Sequence, residues 1–478
     1  MKVYETVIGL EVHVELATKS KIFCGCTTQF GGEPNTHCCP VCTGMPGTLP
    51  VLNQQVVEFA MAAGLALGCT ITQRCKFDRK NYFYPDLPKA YQISQLYLPI
   101  CRDGGIEIET EAGKKVIRIH EIHMEEDAGK LVHDPWEDCT LVDYNRCGVP
   151  LIEIVSEPDM RSKEEVVAYL DKLRLILQYL GVSDCKMQEG SLRADINLSV
   201  REVGAKEFGT RTEMKNMNSF KAIARAIEGE RKRQIELLEM GKKVVQETRR
   251  WDDNKDTSFA MRTKEDAQDY RYFPEPDLLP IEISDEWLER IRSRQPELRA
   301  EKMLRYEKEF DIPAYDASII TGSKHLADLF EETVALCGKP KEVSNWLMVE
   351  AMRLLKEQEL EPEEIPITPT QLSKLIGLLD ANRINRTIAK EVFEQMFKEK
   401  VDPEDYVELH GLGMVSDDGL LRTSVLKIID DNPQSVEDYK SGKTKAMGFL
   451  VGQTMKEMNG KADPGKINQI VKEILDSK

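Results

Sequence analysis

The sequence lacks any apolar run near the roughly 18 residues that a membrane-spanning helix requires. Its first residues, MKVYETVIGLEVHVEL, alternate apolar and polar side chains and lack the basic-then-apolar order of a signal peptide. Internal repeats and low-complexity tracts are also missing. These absences predict a cytoplasmic protein whose twelve cysteines stay reduced.

An excess of positive charge is missing as well. Lys and Arg number 65 against 82 Asp and Glu, which gives a formal net charge of −17 at pH 7. The chain as a whole therefore does not attract a polyanion, and a nucleic-acid partner would need a local basic surface. Residues 440–478 are a candidate, because they hold eight Lys and four acids. The alternative for this stretch is a solvated helical face.

The composition that is present, 41% hydrophobic and 31% charged over 478 residues, is that of a soluble globular protein. Its length predicts roughly two to four domains. Residues 1–290 contain short alternating runs, Gly, Pro and eleven of the twelve cysteines, whereas helical patterns dominate afterwards. We predict an α+β protein with an antiparallel-sheet-containing domain over residues 1–290, an all-α domain over 291–402 and a small helical domain over 403–478.

One helix of the first domain can be bounded from the sequence. Ser162, followed three residues later by Glu165, is a capping-box signal, and Gly181 is a helix-end signal.

Several runs alternate strictly between apolar and polar residues, which is typical of strands with one buried face. The clearest runs are residues 8–16 and 192–200, and shorter cases lie within 117–125 and 211–215. Their polar faces carry, in chain order, Glu11, His13, Glu15, His123, Glu125, Asp195 and Glu213, and Glu126 follows the third run directly.

If these strands share one sheet, their acidic side chains lie close together. Crowded carboxylates repel unless a cation binds between them, so the pattern predicts an oxygen-rich magnesium site. Magnesium usually binds a few carboxylates together with substrate phosphates, which points to nucleotide chemistry. The alternative is that these are ordinary solvated faces of half-exposed antiparallel strands.

Two close cysteine pairs lie in FCGC and CCPVC. The pairs are Cys24 with Cys26 and Cys39 with Cys42. Twelve residues separate them, and this spacing suits a structural zinc site with four thiolates. The neighbouring Cys38 and His37 leave the choice of ligands open. A redox-active Cys39–Cys42 pair and plain buried thiols are the alternatives.

Residues 78–95, DRKNYFYPDLPKAYQISQ, interleave basic and aromatic side chains on a Pro-bearing segment. Those singled out as binding candidates are Arg79, Lys80, Tyr82, Tyr84, Lys89 and Tyr91. Such a loop suits a phosphate or an unstacked nucleic-acid base. The alternative is a packed aromatic crossing.

Seven strings spread over essentially the whole chain are VIGLEVHVEL, FDRKNYFYPDLPKAYQISQ, HMEEDAGK, LVDYNRCGVPLIEIVSEPD, CKMQEGSLRADIN, DYRYFPEPDL and YKSGKTKAMGFLVGQ. In these strings, and in their order, the sequence closely resembles the B subunits of the aspartyl/glutamyl-tRNA amidotransferase family. The resemblance implies an N-terminal cradle domain, a helical domain and a small YqeY-like tail domain that helps to hold tRNA.

The resemblance also implies an activity. In the family, ATP phosphorylates the side-chain carboxylate of Glu on tRNA(Gln) or Asp on tRNA(Asn), and ammonia then displaces the phosphate to give the amide. The ammonia comes from a separate amidase, the A subunit, and a small C subunit completes a heterotrimer.

By the same resemblance, a set of residues matches the family's catalytic and magnesium positions. The matching residues are Glu11, His13, Glu125, Asp195 and Glu213, with Glu126 as a neighbouring catalytic candidate. The four paired cysteines make the chain similar to zinc-bearing members of the family. The competing hypothesis is a non-catalytic, zinc-stabilised scaffold that binds tRNA.

Overall fold

A computed structural model describes residues 2–134, 136–263, 269–414, 418–443, 445–458 and 461–477. The chain divides into two compact units, Met1–Arg299 and Ala300–Lys478. Among the described residues, no helix is long and apolar enough to span a membrane.

The first unit contains all the strands of the described chain. They are β1 (Tyr4–Glu15), β2 (Thr70–Ile71), β3 (Arg74–Cys75), β4 (Asp78–Asn81), β5 (Tyr91–Ser94), β6 (Cys101–Thr110), β7 (Gly113–Glu126), β8 (Lys130–His133), β9 (Thr140–Asp143), β10 (Pro150–Ser156), β11 (Leu192–Glu202), β12 (Thr212–Lys215), β13 (Glu247–Asp252), β14 (Thr257–Thr263), β15 (Phe273–Pro274) and β16 (Ile281–Glu282). Its helices are α1 (Gln54–Ala66), α2 (Lys163–Tyr179), α3 (Phe220–Glu239) and α4 (Asp285–Ser293).

The second unit is helical. Its α-helices are α5 (Arg299–Phe310), α6 (Ala314–Ile320), α7 (Lys324–Cys337), α8 (Pro340–Asn345), α9 (Met352–Gln358), α10 (Pro369–Asp380), α11 (Arg386–Glu399), α12 (Pro403–Leu409), α13 (Asp418–Asp431), α14 (Pro433–Lys440), α15 (Lys445–Glu457) and α16 (Pro464–Ser477). The short segment Trp346–Ala351 is a π-helix, and Pro362–Glu364 is a 3-10 helix. The predicted α+β class is therefore confirmed.

Nine of the described strands form one sheet in the order β14-β13-β12-β11-β1-β10-β7-β6-β2. Neighbours are antiparallel except β12 and β13, which are parallel and joined through α3. A parallel pair needs such a crossover connection. All four alternating runs of the sequence lie in strands of this sheet, β1, β7, β11 and β12, so the condition for their acidic side chains to lie close together is met.

The two faces of the sheet differ because side chains alternate along each strand. On one face, Ile8, Leu10 and Val12 of β1 are at most 1% exposed and belong to a core that includes residues of α1, α2 and α3. The helix predicted from Ser162 is α2, whose N-cap Ser162 accepts a hydrogen bond from the Glu165 N–H. The helices thus cover one face, and the opposite face carries the charged side chains.

The helices of the second unit enclose two apolar cores. The first is built from residues of α5 to α12 and extends to Val407. The second starts at Leu421 and joins α13, α15 and α16. The domain boundaries near residues 290 and 402 stay predictions.

A buried polar network holds α3 against β12. The Glu230 carboxylate accepts hydrogen bonds from Arg233 at 2.7 and 2.8 Å, from Gln234 at 2.8 Å and from Thr212 at 2.8 Å. Burial alone would raise the pKa of Glu230, but these hydrogen bonds outweigh it and lower the pKa.

Glu230→Gln is expected to lower the free energy of unfolding by about 2–3 kcal/mol at pH 7, because a charged hydrogen-bond acceptor is lost from a buried site. A lowered folded-state pKa stabilises the protein above the usual value of 4.5, and this contribution is lost as the pH falls below it. The difference between wild type and variant should therefore shrink below about pH 4.5 in urea unfolding of the full chain. Glu239→Gln, on an exposed position of the same helix, is the control and should change little at any pH.

Candidate active site and metal centres

The polar face of the sheet gathers charged side chains because of strand register. Glu11 of β1 lies opposite Asp195 of β11, and Asn197 of β11 lies opposite Glu213 of β12. On the other side of β1, His13 lies opposite Glu153 of β10, which lies opposite His123 of β7. Since opposite residues of neighbouring strands point to the same face, two groups form on either side of β1.

The first group consists of Glu11, Asp195 and Glu213, and we call it the Asp195 group. One carboxylate oxygen from each lies within 4.8 Å of the others. Two neutral side chains orient it: the Asn197 amide donates to Glu11 Oε1 at 3.0 Å, and the Thr248 hydroxyl donates to Glu213 Oε2 at 2.7 Å.

The carboxylates of the Asp195 group repel one another. Burial and the charges of Glu153 and Glu213 raise the pKa of Glu11. A cation bound among these oxygens would relieve that repulsion, and three carboxylates are a ligand set that suits Mg²⁺.

The Lys215 ammonium lies against the Asp195 group. Its Nζ atom contacts Asp195 Oδ2 and lies 3.0 Å from Glu213 Oε1. Burial alone would lower the pKa of Lys215, but the charges of Asp195 and Glu213 outweigh it and raise the pKa.

The second group consists of His13, Glu125 and Glu153, and we call it the Glu153 group. Its ligand atoms also lie within 4.8 Å of one another. His13 Nε2 is 3.6 Å from Glu125 Oε1 and 3.5 Å from Glu153 Oε2, and His123 Nε2 is 3.0 Å from the same Glu153 oxygen. Burial would raise the pKa of Glu153, but the charges and hydrogen bonds of His123 and His13 lower it.

The structure thus brings the five predicted magnesium residues to one face, in two groups instead of one. Glu153 was missed by the sequence analysis. It lies in the run PLIEIVS, where Leu151 and Val155 make both faces apolar and hide the alternation. Its position opposite His13 follows from strand pairing, which the sequence of β10 alone does not give.

Glu126 lies apart from both groups. It follows Glu125 on β7 and therefore points to the opposite face of the strand. Its carboxylate contacts Lys89 Nζ and accepts the Ile93 N–H at 2.9 Å. The structure accordingly pairs two predicted site residues, Glu126 and Lys89, with each other.

The basic and aromatic loop is partly tied down by its own contacts. Arg79 donates two hydrogen bonds to Glu275, at 2.7 and 3.0 Å, and its guanidinium lies 4.2 Å from the centre of the Tyr91 ring. Lys80 Nζ lies 5.9 Å from the centre of the Tyr82 ring. Tyr84, in contrast, is 54% exposed. Arg79 and Tyr91 therefore stabilise the loop, and Tyr84 presents a ring to solvent.

A cavity of about 870 Å³ lies directly beside the Asp195 group. Asp195 and Lys215 form part of its wall, with Glu15 and Arg193. Its basic lining residues are Lys130, Arg146, Arg193, Lys215 and Arg250. The volume is within the range of small-molecule sites. Four acids, Glu15, Asp143, Glu189 and Asp195, line the cavity as well, so its lining is mixed in charge and offers cations that could contact a phosphate. The sequence analysis missed this cavity because its wall comes from distant segments.

The four paired cysteines converge. The sulfur atoms of Cys24, Cys26, Cys39 and Cys42 lie within 4.8 Å of one another. Cys39 Sγ and Cys42 Sγ are 3.9 Å apart, close to the ~3.8 Å edge of a tetrahedron with Zn–S bonds of about 2.3 Å. The Cys38 thiol instead donates to the Asn35 carbonyl at 3.3 Å.

The surroundings of Cys42 favour its thiolate. A hydrogen bond from Cys24 lowers the pKa of Cys42 to about 4, with help from the Cys39 N–H and the Lys21 ammonium and against the effect of burial. Lys21 is fully buried, with Nζ 3.7 Å from Cys42 Sγ. A thiolate with a buried ammonium beside it is suited to metal binding.

The chain matches two family models and is similar in sequence to known proteins over its whole length. The sequence model of the family described as the GatB/GatE catalytic domain matches residues 6–289, and that of the GatB domain matches residues 328–475. The B subunit of an aspartyl/glutamyl-tRNA(Asn/Gln) amidotransferase from Lachnoclostridium phytofermentans is 79% identical, with 99% of each chain covered. Its counterpart from Agathobacter rectalis is 70% identical, covering 99% of this chain and all of that protein.

Proposed function

The chain belongs to the family of aspartyl/glutamyl-tRNA(Asn/Gln) amidotransferase B subunits, and from this premise we propose that it is the B subunit of a carbon–nitrogen ligase acting on misacylated tRNA. The complex converts Glu-tRNA(Gln) to Gln-tRNA(Gln), Asp-tRNA(Asn) to Asn-tRNA(Asn), or both, in the cytoplasm. A partner amidase, the A subunit, supplies ammonia, and a small C subunit completes a heterotrimer.

The reaction needs activation because a carboxylate is a poor electrophile. In the first step a side-chain carboxylate oxygen attacks the γ-phosphorus of ATP, and ADP leaves. In the second step ammonia attacks the carbonyl carbon of the acyl phosphate, and inorganic phosphate leaves as the amide forms and a proton is released. Phosphorylation thus converts the carboxylate oxygen, which would leave poorly as oxide, into a phosphate, which is a competent leaving group.

The observation that carries the proposal is the pair of acidic groups, one of which lies beside a cavity whose lining includes five basic side chains. The Asp195 group and the Glu153 group are the residues that would hold Mg²⁺, which when bound neutralises charge on a transferring phosphoryl group. Arg250 is exposed, lines the adjoining cavity and would bind phosphate oxygens, whereas Arg193 is held by Asp127 at 2.8 Å. The charged face therefore offers what phosphoryl transfer requires, namely positioning and electrostatic stabilisation.

Further contacts with the substrates come from the aromatic loop and the tail. Tyr84 offers an exposed ring on which a base of the tRNA end can stack. Lys80 lies nearby in sequence and can contact a phosphate. The tail, residues 403–478, contacts tRNA through its last part, residues 440–478, where eight Lys outnumber four acids.

The four paired cysteines hold a structural zinc ion in this proposal. With four thiolates as ligands, zinc bound there would keep no position for a water molecule, so it would stabilise the loop of residues 20–50 and would take no part in the chemistry.

Reconstitution with the two partner proteins tests the proposed function. Glu-tRNA(Gln) and Asp-tRNA(Asn) are supplied separately, with ATP, Mg²⁺ and glutamine, and ADP release and amide formation are followed together. We expect ADP and amide in equal amounts on at least one of the two tRNAs. Tight binding of tRNA without ATP hydrolysis on either would instead support the non-catalytic scaffold.

A further inference from the structure

Lys215 occupies a particular place in the proposed active site. Its ammonium contacts oxygens of Asp195 and Glu213, two of the three carboxylates of the Asp195 group. The same side chain lines the 870 Å³ cavity and is 35% exposed, whereas Asp195 is 15% exposed. Lys215 therefore stands between the metal-binding oxygens and open space.

A divalent cation and this ammonium compete for the same oxygen atoms. Mg²⁺ binds carboxylate oxygens at about 2.1 Å and prefers octahedral geometry, so it needs the lone pairs to which Lys215 now donates. Two cations sharing these oxygens at such short distances would also repel each other. Lysine suits an exchange of this kind, because its ammonium is carried on a flexible four-carbon chain.

We propose that Lys215 and a divalent cation are alternative partners of the Asp195 group. When the cation is bound, the Lys215 side chain turns into the cavity, and its ammonium binds the phosphoryl group that is transferred. This inference rests on the proposed function, since it assumes that the Asp195 group binds Mg²⁺ and that the cavity receives phosphates.

The exchange makes phosphate binding by Lys215 depend on metal binding by the Asp195 group. The cavity gains a phosphate-binding ammonium only when the Asp195 group has its metal. Lys215 would then be a catalytic residue that is withheld from ATP until the metal site is filled.

Mn²⁺ binding to the full chain tests the competition. All the variants compared also carry Glu153→Gln, which removes a ligand of the Glu153 group. The Mn²⁺ affinity measured by electron paramagnetic resonance then reports mainly on the Asp195 group. Adding Lys215→Met should tighten Mn²⁺ binding about tenfold, because the competing charge is gone. Unchanged or weaker binding would overturn the proposal, since it would mean that Lys215 merely holds the carboxylates in place.

Lys115 provides a matched control. Its side chain is 34% exposed and pairs with Glu165 at 2.9 Å. Lys115→Met should leave Mn²⁺ affinity unchanged within about twofold.

Chemical labelling of the wild-type chain tests the movement without any substitution. The lysines are reductively methylated with formaldehyde and sodium cyanoborohydride in the presence and absence of saturating Mg²⁺, and mass spectrometry of peptides measures the rate at Lys215. Mg²⁺ should raise the labelling rate of Lys215 several-fold and leave that of Lys115 unchanged. Equal protection of Lys215 in both samples would overturn the proposal.

The two possible failures are distinguishable. If Glu213→Gln leaves Mn²⁺ binding unaltered, the Asp195 group is not a metal site, and its proposed role in phosphoryl transfer fails together with this inference. If Glu213→Gln weakens Mn²⁺ binding but Lys215 stays protected from labelling, only the inference about Lys215 fails.

Discussion

Glu11→Gln is expected to lower the rate of ATP-dependent amide formation about a thousandfold in the assembled complex. Loss of several kcal/mol of electrostatic stabilisation at a metal-assisted phosphoryl transfer corresponds to that factor. The substitution keeps the size of the side chain and an oxygen that can accept the Asn197 amide hydrogen bond. Binding of misacylated tRNA should therefore remain within about twofold of wild type.

Glu5→Gln is the matched control for this prediction. Glu5 lies on the same strand and pairs with Arg201 at 2.9 Å, away from both acidic groups. Its substitution should leave amide formation nearly unchanged. If Glu11→Gln retains wild-type rates of ADP release and amide formation, Glu11 is not part of the catalytic machinery.

Cys39→Ser is expected to lower the affinity for zinc about a hundredfold. Structural zinc sites with four ligands bind with about 10–16 kcal/mol, so one thiolate contributes on the order of 3 kcal/mol. Metal analysis of the purified full chain after dialysis against a chelator should find about one zinc per wild-type molecule and little in the variant. Proteolysis between residues 20 and 50 should increase in parallel, because the zinc ion would no longer hold this loop together.

Cys38→Ser is the control for the zinc site. Cys38 is the neighbour of Cys39 in sequence, but its thiol contacts the Asn35 carbonyl and lies outside the group of four. Its substitution should leave the zinc content intact. The ligand assignment would be wrong if both variants retained equal zinc, or if Cys38→Ser were the one that lost it.

The parts of the fold that could be predicted are those set by local periodicity. Residues 8–16 and 192–200 alternate strictly, and β1 and β11 follow with the predicted faces buried. The helix between Ser162 and Gly181 was predictable because both ends carry capping signals, and the structure has it as α2.

The parts that could not be predicted depend on strand register. Glu11 and His13 point to the same side of β1, yet the first lies opposite Asp195 and the second opposite Glu153. That division into two groups is fixed by which residue pairs with which, and alternation within a single strand carries no such information. The cavity could not be predicted for the same reason, because its wall combines Glu15, Arg193 and Arg250 from three different strands.

The central place of β1 has a consequence for how the protein is made. This strand is synthesised well before its two sheet neighbours, β10 and β11, which lie in residues 150–156 and 192–202. At about 5–20 residues per second, translation needs roughly 10–40 seconds to supply them. Until then the backbone N–H and C=O groups along both edges of β1 lack their strand partners, which makes nascent chains that end before about residue 200 prone to wrong strand pairing.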